Sequence, residues 1–206
     1  HENKSSTKLS DFKILFARKS RPLWIMFLIM FIRSLVITSF MSFMSILFTA
    51  KGLTMHRSGI AISTFLICGS VGGLIGGYLA DKISRKIIIA CSSIIACPLL
   101  LWFLKADGNF AMILLGLSGM VILAASAVNV LIVQRLCPDM AGSIAGISMG
   151  FVWGSAGLML PVVGYVADHY SMETSLRIAA YMLPIAGMLV LVLPNIDRPA
   201  NDLSKE

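Results

Sequence analysis

Two groups of residues in this chain have the types and spacing to do chemistry, and both are charges set in apolar sequence. The first is Arg33, alone in the run P-L-W-I-M-F-L-I-M-F-I-R-S-L-V at 22–36. A guanidinium stays protonated and offers five donors, so in an apolar setting it must find carbonyls, hydroxyls or an anion. The second is G-Y-L-A-D-K-I-S-R-K at 77–86, where Asp81 closes a glycine-rich apolar run and Lys82, Arg85 and Lys86 follow at once. An acid at the C-terminal end of its own helix is disfavoured by roughly 0.3–1 kcal/mol unless nearby bases or another helix's N-terminus compensate it. Asn129 is a further polar side chain inside an apolar run, and Trp153 an amphipathic one. No nucleophile–base pair and no G-x-x-x-x-G-K-[ST] phosphate cradle occurs, which argues against an enzyme or a nucleotide-driven pump. The four cysteines form no C-x-x-C pair, and neither His56 nor His169 has a partner at metal spacing, so no metal or other cofactor is expected.

The elements that must position these groups are membrane spans. The chain is 57% hydrophobic and 13% charged, against about 45–50% and about 25% in a soluble domain. Six runs are long enough to cross a bilayer: Pro22 to Ala50, Ser58 to Ala80, Ile87 to Leu104, Phe110 to Val133, Gly142 to Ala167 and Ile178 to Leu193. They are continuously apolar rather than alternating, which excludes a transmembrane barrel and leaves an all-α integral membrane bundle. The organisation expected is a cytoplasmic linker at 1–21, a six-helix domain at 22–194 and a cytoplasmic tail at 195–206. Most of the 17 Lys and Arg fall on the side shared by both termini, which places that side in the cytoplasm. The net charge of +7 therefore reads as orientation, not as a nucleic-acid surface.

At 1.5 Å per residue Arg33 lies about 16 Å beyond Pro22, near the bilayer centre, where a charge costs about 2.5–3.5 kcal/mol and should face protein or water. No Asp or Glu stands between the ends of any span. Its compensation is expected from carbonyls and hydroxyls, from a second domain or from an anionic substrate, with snorkelling to the interface as the plain alternative. For Asn129 the alternatives are an interhelical hydrogen bond and a cavity contact, and for Trp153 core packing and a cavity wall. Pro161, beside Gly157 and Gly164, removes a backbone donor and marks a hinge candidate.

The chain also repeats itself. G-Y-L-A-D at 77–81 returns as G-Y-V-A-D at 164–168, 87 residues on, at the end of the second span in one case and of the fifth in the other. These ends face opposite sides of the membrane, the pattern of a 3+3 inverted repeat. Gly69, Gly73 and Gly77 recur every fourth residue in the second span, as do Gly142, Gly146, Gly150 and Gly154 in the fifth. Such spacing makes a smooth face, either packed within the bundle or meeting another domain that slides against it.

At these residues the chain resembles the major facilitator superfamily of transporters, whose cytoplasmic loop reads roughly G-x-x-x-D-[RK]-x-G-[RK]-[RK]. Gly77, Asp81, Lys82, Arg85 and Lys86 match, and Ser84 stands where the family usually has glycine. The resemblance covers residues 22–194 and implies half of a twelve-helix fold in which these loop residues gate the cytoplasmic side. The basic lead-in before the first span resembles the family's central loop, so a C-terminal half is expected, with a missing N-terminal six-helix half as partner. The long first span with Arg33, and P-V-V-G-Y-V-A-D-H-Y at 161–170, resemble the fosmidomycin-resistance type of efflux subfamily. In the family the first helix of each triplet lines the cavity, which implies Arg33 and Asn129 as substrate contacts, with Trp153 as a cavity wall. The function expected is proton-coupled efflux of small compounds, anionic ones among them, by an antiporter of the bacterial inner membrane that can confer drug resistance. The alternatives are an uptake permease and a non-transporting six-helix scaffold.

Overall fold

The computed structural model describes residues 21–52, 54–136 and 141–193; the expected linker and most of the expected tail lie outside them. Six helices follow one another: α1 (Arg21–Ala50), α2 (Met55–Lys82), α3 (Arg85–Lys105), α4 (Gly108–Leu136), α5 (Ala141–His169) and α6 (Met172–Val192). All six are long and apolar enough to span a membrane, and no strand occurs among the described residues. Every helix starts ahead of its expected run, and all but α1 and α6 also run past its end, because the backbone hydrogen bonding continues beyond the apolar stretch into short turns. Gly52 and Gly108 take positive φ of 73° and 65° in two of these turns, a region costly for residues with a Cβ. α6 begins six residues ahead of its expected start because Ser171 caps it, accepting from the Thr174 N–H at 3.1 Å. Ser171→Ala should cost about 1 kcal/mol, read as a melting midpoint in detergent lower by about 2–4 °C.

The second triplet reproduces the first. Moving α1, α2 and α3 on by 87 residues lands within a residue of the ends of α4, α5 and α6. The packing follows the same two-fold: α2 lies on α4 as α5 lies on α1, α3 lies on α4 as α6 lies on α1, and α3 and α6 pack on each other. Buried positions coincide as well, with Ala61, Phe65, Gly69 and Ala80 of α2 answering Ser148, Val152, Ala156 and Ala167 of α5.

Two apolar clusters fill the two ends of the bundle. One joins Leu23, Ala80, Ile88, Ile132, Ile144 and Leu193; the other joins Leu47, Ala61, Leu104, Ala111 and Leu176. The starts of α1, α3 and α5 and the ends of α2, α4 and α6 thus share one end. Asp81 stands at that end and Asp168, just ahead of α6, at the other, as an inverted repeat requires. Lysines close the C-terminal ends of α3 and α6. Lys51 Nζ donates to the Leu104 carbonyl at 3.0 Å and pairs with Asp107 at 3.3 Å, while Lys86 donates to the Leu193 carbonyl. Each ammonium meets the negative end of a helix, where the last carbonyls lack intrahelical donors.

Candidate functional site

The charged turn between α2 and α3 faces outward. Asp81 is exposed, and among the described residues its carboxylate takes no hydrogen bond or ion pair. The bases beside it are engaged elsewhere. Lys82 Nζ stands 4.4 Å over the Tyr78 ring, Lys86 caps α6, and Arg85 is buried to 7% exposure. Among the described residues, then, no base pairs directly with Asp81, so the local ion pair that was one of the two options open from sequence is not formed. Ser84 fits where the family has glycine: its φ of −52° and ψ of 126° are open to any L-residue. Gly77, one turn before Asp81, has nothing within 4 Å of where a Cβ would stand, so a second helix can approach the turn closely there.

Arg33 lies inside the bundle at 2% exposure. Its Nη1 donates to Ser92 Oγ at 3.2 Å and to Ser93 Oγ, and its Nη2 donates to the Ile122 carbonyl. Of the compensations weighed from sequence, hydroxyls and a carbonyl are the ones it meets; snorkelling is not. The position expected for a substrate contact is thus behind the open faces rather than on them, because neutral acceptors on α3 and α4 come within reach of the long side chain. Asn129 is also buried, at 4% exposure, and its Oδ1 has no partner among the described residues. Trp153 is different: at 42% exposure it stands on the open side of α5, so core packing, its plainer reading, does not hold within this chain.

The two glycine runs separate. Along α2, a Cβ at Gly69 would strike the Leu123 side chain, one at Gly72 the Met120 carbonyl and one at Gly76 the Ala124 carbonyl, while Gly119 of α4 meets the Phe65 carbonyl. Gly69 lies against the Leu123 side chain and the Gly119 carbonyl. Gly73 is only at van der Waals range, 3.9 Å from the Leu123 carbonyl, and Gly72 and Gly76 replace it as packing residues. Along α5, Gly142, Gly146, Gly150 and Gly154 have nothing within 4 Å of a Cβ, and α5 is the least buried of the six helices. Among the described residues nothing packs on these four, so within them this face is bare rather than a packing face of the bundle. Pro161 lies in a continuous α-helix and, with Phe43, Gly164, Tyr165 and Asp168, lines an open groove between α1 and α5.

Sequence reasoning missed Ser92 and Ser93 as the partners of Arg33. The available signal was a pair of adjacent hydroxyls at mid-span in an otherwise apolar helix, at a depth close to that of the arginine.

A six-helix bundle with an internal inverted two-fold, a charged turn at one end and bare helix faces is half of a membrane transporter fold. The family profile described as Major Facilitator Superfamily matches residues 26–206, and the chain belongs to that family. It is 33% identical over 144 residues to the fosmidomycin resistance protein of Escherichia coli strain K12, a match covering 70% of this chain and 35% of that protein. It is 30% identical over 134 residues to an uncharacterized transporter of the same family from Bacillus subtilis strain 168, covering 65% of this chain and 32% of that protein. The matched region thus spans about a third of each of these relatives. Among solved structures, it superposes on the fucose:proton symporter of Escherichia coli with a TM-score of 0.74 at 19% identity, covering 93% of this chain and 46% of that one. A structure of that transporter in the outward conformation gives 0.76 at 19% identity, covering 94% and 47%. At that identity the likeness establishes the fold.

Proposed function

We propose that this chain is the C-terminal six-helix half of a secondary transporter that exports small compounds, anionic ones among them, in exchange for protons. The observation that carries the reading is the identity with a resistance protein, together with an Asp81 carboxylate left exposed and unpaired at the gating turn. An N-terminal half, packed on the bare side, would offer Asp81 a helix N-terminus or a base when the cytoplasmic side is closed. Exposed ion pairs of about 0–1 kcal/mol are weak enough for a rocking motion to break. Gly77 and the α5 glycines supply a surface on which the halves move, Pro161 is the hinge assigned to α5, and Trp153 is the pathway wall. Asn129, with its orphaned oxygen, is the polar contact that becomes available when the half tilts. The described spans carry Asp and Glu only near their ends, so the carboxylate that carries the proton belongs to the other half. The excess of basic residues beside both termini supports a cytoplasmic position for them, and the resemblance to a bacterial resistance protein supports an inner-membrane location.

Cells expressing the full-length protein that carries this chain should tolerate about tenfold more fosmidomycin than cells without it, and Asp81→Asn should remove the difference at an equal protein level, a tenfold effect being about 1.4 kcal/mol. Equal tolerance with and without the wild-type protein excludes the export reading for this compound. Greater sensitivity on expression points to uptake instead.

A further inference from the structure

We propose that Arg33 is a positioning residue that holds the two three-helix repeats of this half in one register, through acceptors prepared for it on α3 and α4. The two apolar clusters at the ends of the bundle are made of Leu, Ile, Val, Met, Phe and Ala, with Cys97 in one of them. Contacts of that kind are non-directional, so they set the position of one helix along another less sharply than a directional hydrogen bond does. Between the clusters runs a polar layer. On α1, Arg33 and Ser34 separate Ile32 of one cluster from Val36 of the other; on α3, Ser92 and Ser93 separate Ile89 from Ala96. A forked donor crossing this layer does not tolerate sliding, because each arm has its own acceptor.

The acceptors are built for the purpose. Ser92 and Ser93 donate their own hydroxyl protons back to the Ile89 carbonyl, at 3.0 and 2.8 Å, which leaves their oxygen lone pairs to Nη1. Nη2 reaches the Ile122 carbonyl of α4, a backbone group with a second lone pair beyond its helical bond. One side chain of the first repeat thereby fixes α3 of its own repeat and α4 of the other. Lysine could not do this, since a single ammonium on a flexible stem lacks the planar fork. The guanidinium has no carboxylate among its partners, so beside the Ile122 carbonyl its compensation rests on the two hydroxyls. Removing them strands a buried charge, and removing the charge as well takes that cost away.

The test is a cycle of melting midpoints on the full-length protein in detergent, without substrate. Ser92→Ala with Ser93→Ala should lower the midpoint by about 5 °C or more in the wild-type background and by less than about 2 °C in the Arg33→Met background. Arg33→Lys should remain as low as the serine-less protein. Arg33→Gln serves as the neutral background where the methionine variant yields no folded protein. An equal shift in both backgrounds overturns the proposal.

A second arm, which rests on the transport reading, measures fosmidomycin flux in vesicles. Arg33→Met should lower maximal flux about tenfold and leave half-saturation within about twofold. Half-saturation raised about tenfold at unchanged maximal flux makes Arg33 a substrate ligand and overturns the proposal. The melting cycle decides the tie by itself, so a failure of fosmidomycin export is distinguishable from a failure of this inference.

Discussion

Replacing Gly76 with leucine should leave almost no folded protein in the membrane. A Cβ at Gly76 would meet the carbonyl, carbonyl carbon and Cα of Ala124, and one at Gly72 would meet the same atoms of Met120, a turn away along α4. From the other side, Gly119 stands against the Phe65 carbonyl, which a Cβ would approach to 2.5 Å. The two backbones are in contact over several turns, so a new side chain cannot be accommodated by a rotamer change and the helices must part. Overpacking that side chains can absorb costs about 1–3 kcal/mol; forcing rigid helices apart should cost about 3 kcal/mol or more, a large fraction of a typical total of about 5–15 kcal/mol. Helix association in lipid relies on close packing, with no hydrophobic drive to make up the loss. The measurement is the yield of a single monodisperse species after detergent extraction. Gly77→Leu, one residue on and facing open space, is the matched control and should extract normally. Equal yields from the two variants would show that α2 and α4 do not meet along this line.

The second large effect should be the reverse: Gly150→Leu leaves folding intact and stops transport. Gly150 and its neighbours at 142, 146 and 154 face none of the described residues, so leucine meets no obstacle among them. It is also the better helix former by about 0.8–1 kcal/mol. If the α5 face were covered only by lipid, leucine would be harmless. If another half slides across it, as proposed, a branched side chain in a stripe of glycines blocks the close approach. Fosmidomycin tolerance should then fall about tenfold, to the level of cells without the protein, while the melting midpoint moves by less than about 2 °C. Unchanged tolerance would return this face to the lipid.

What the sequence by itself determined is what one-dimensional patterning can carry. Six continuous apolar runs specify spanning helices because lipid leaves the backbone no other way to satisfy its hydrogen bonds. The echo of G-Y-L-A-D in G-Y-V-A-D disclosed the inverted repeat, because the same helix end recurs after three crossings, and the order of charges at 81–86 disclosed the family's turn. Tertiary structure alone decided which faces meet. Four-residue spacing advances about 40° per step around a helix of 3.6 residues per turn, so Gly69, Gly73 and Gly77 wind off the line of contact. The mixed steps at Gly69, Gly72 and Gly76 stay on it. The α5 run shows the same spacing with no neighbour among the described residues, a difference that no local pattern encodes. Arg33 is the clearest instance: its charge in lipid demanded partners, but Ser92, Ser93 and Ile122 lie 59 to 89 residues away, and only packing α1 against α3 and α4 brings them to it.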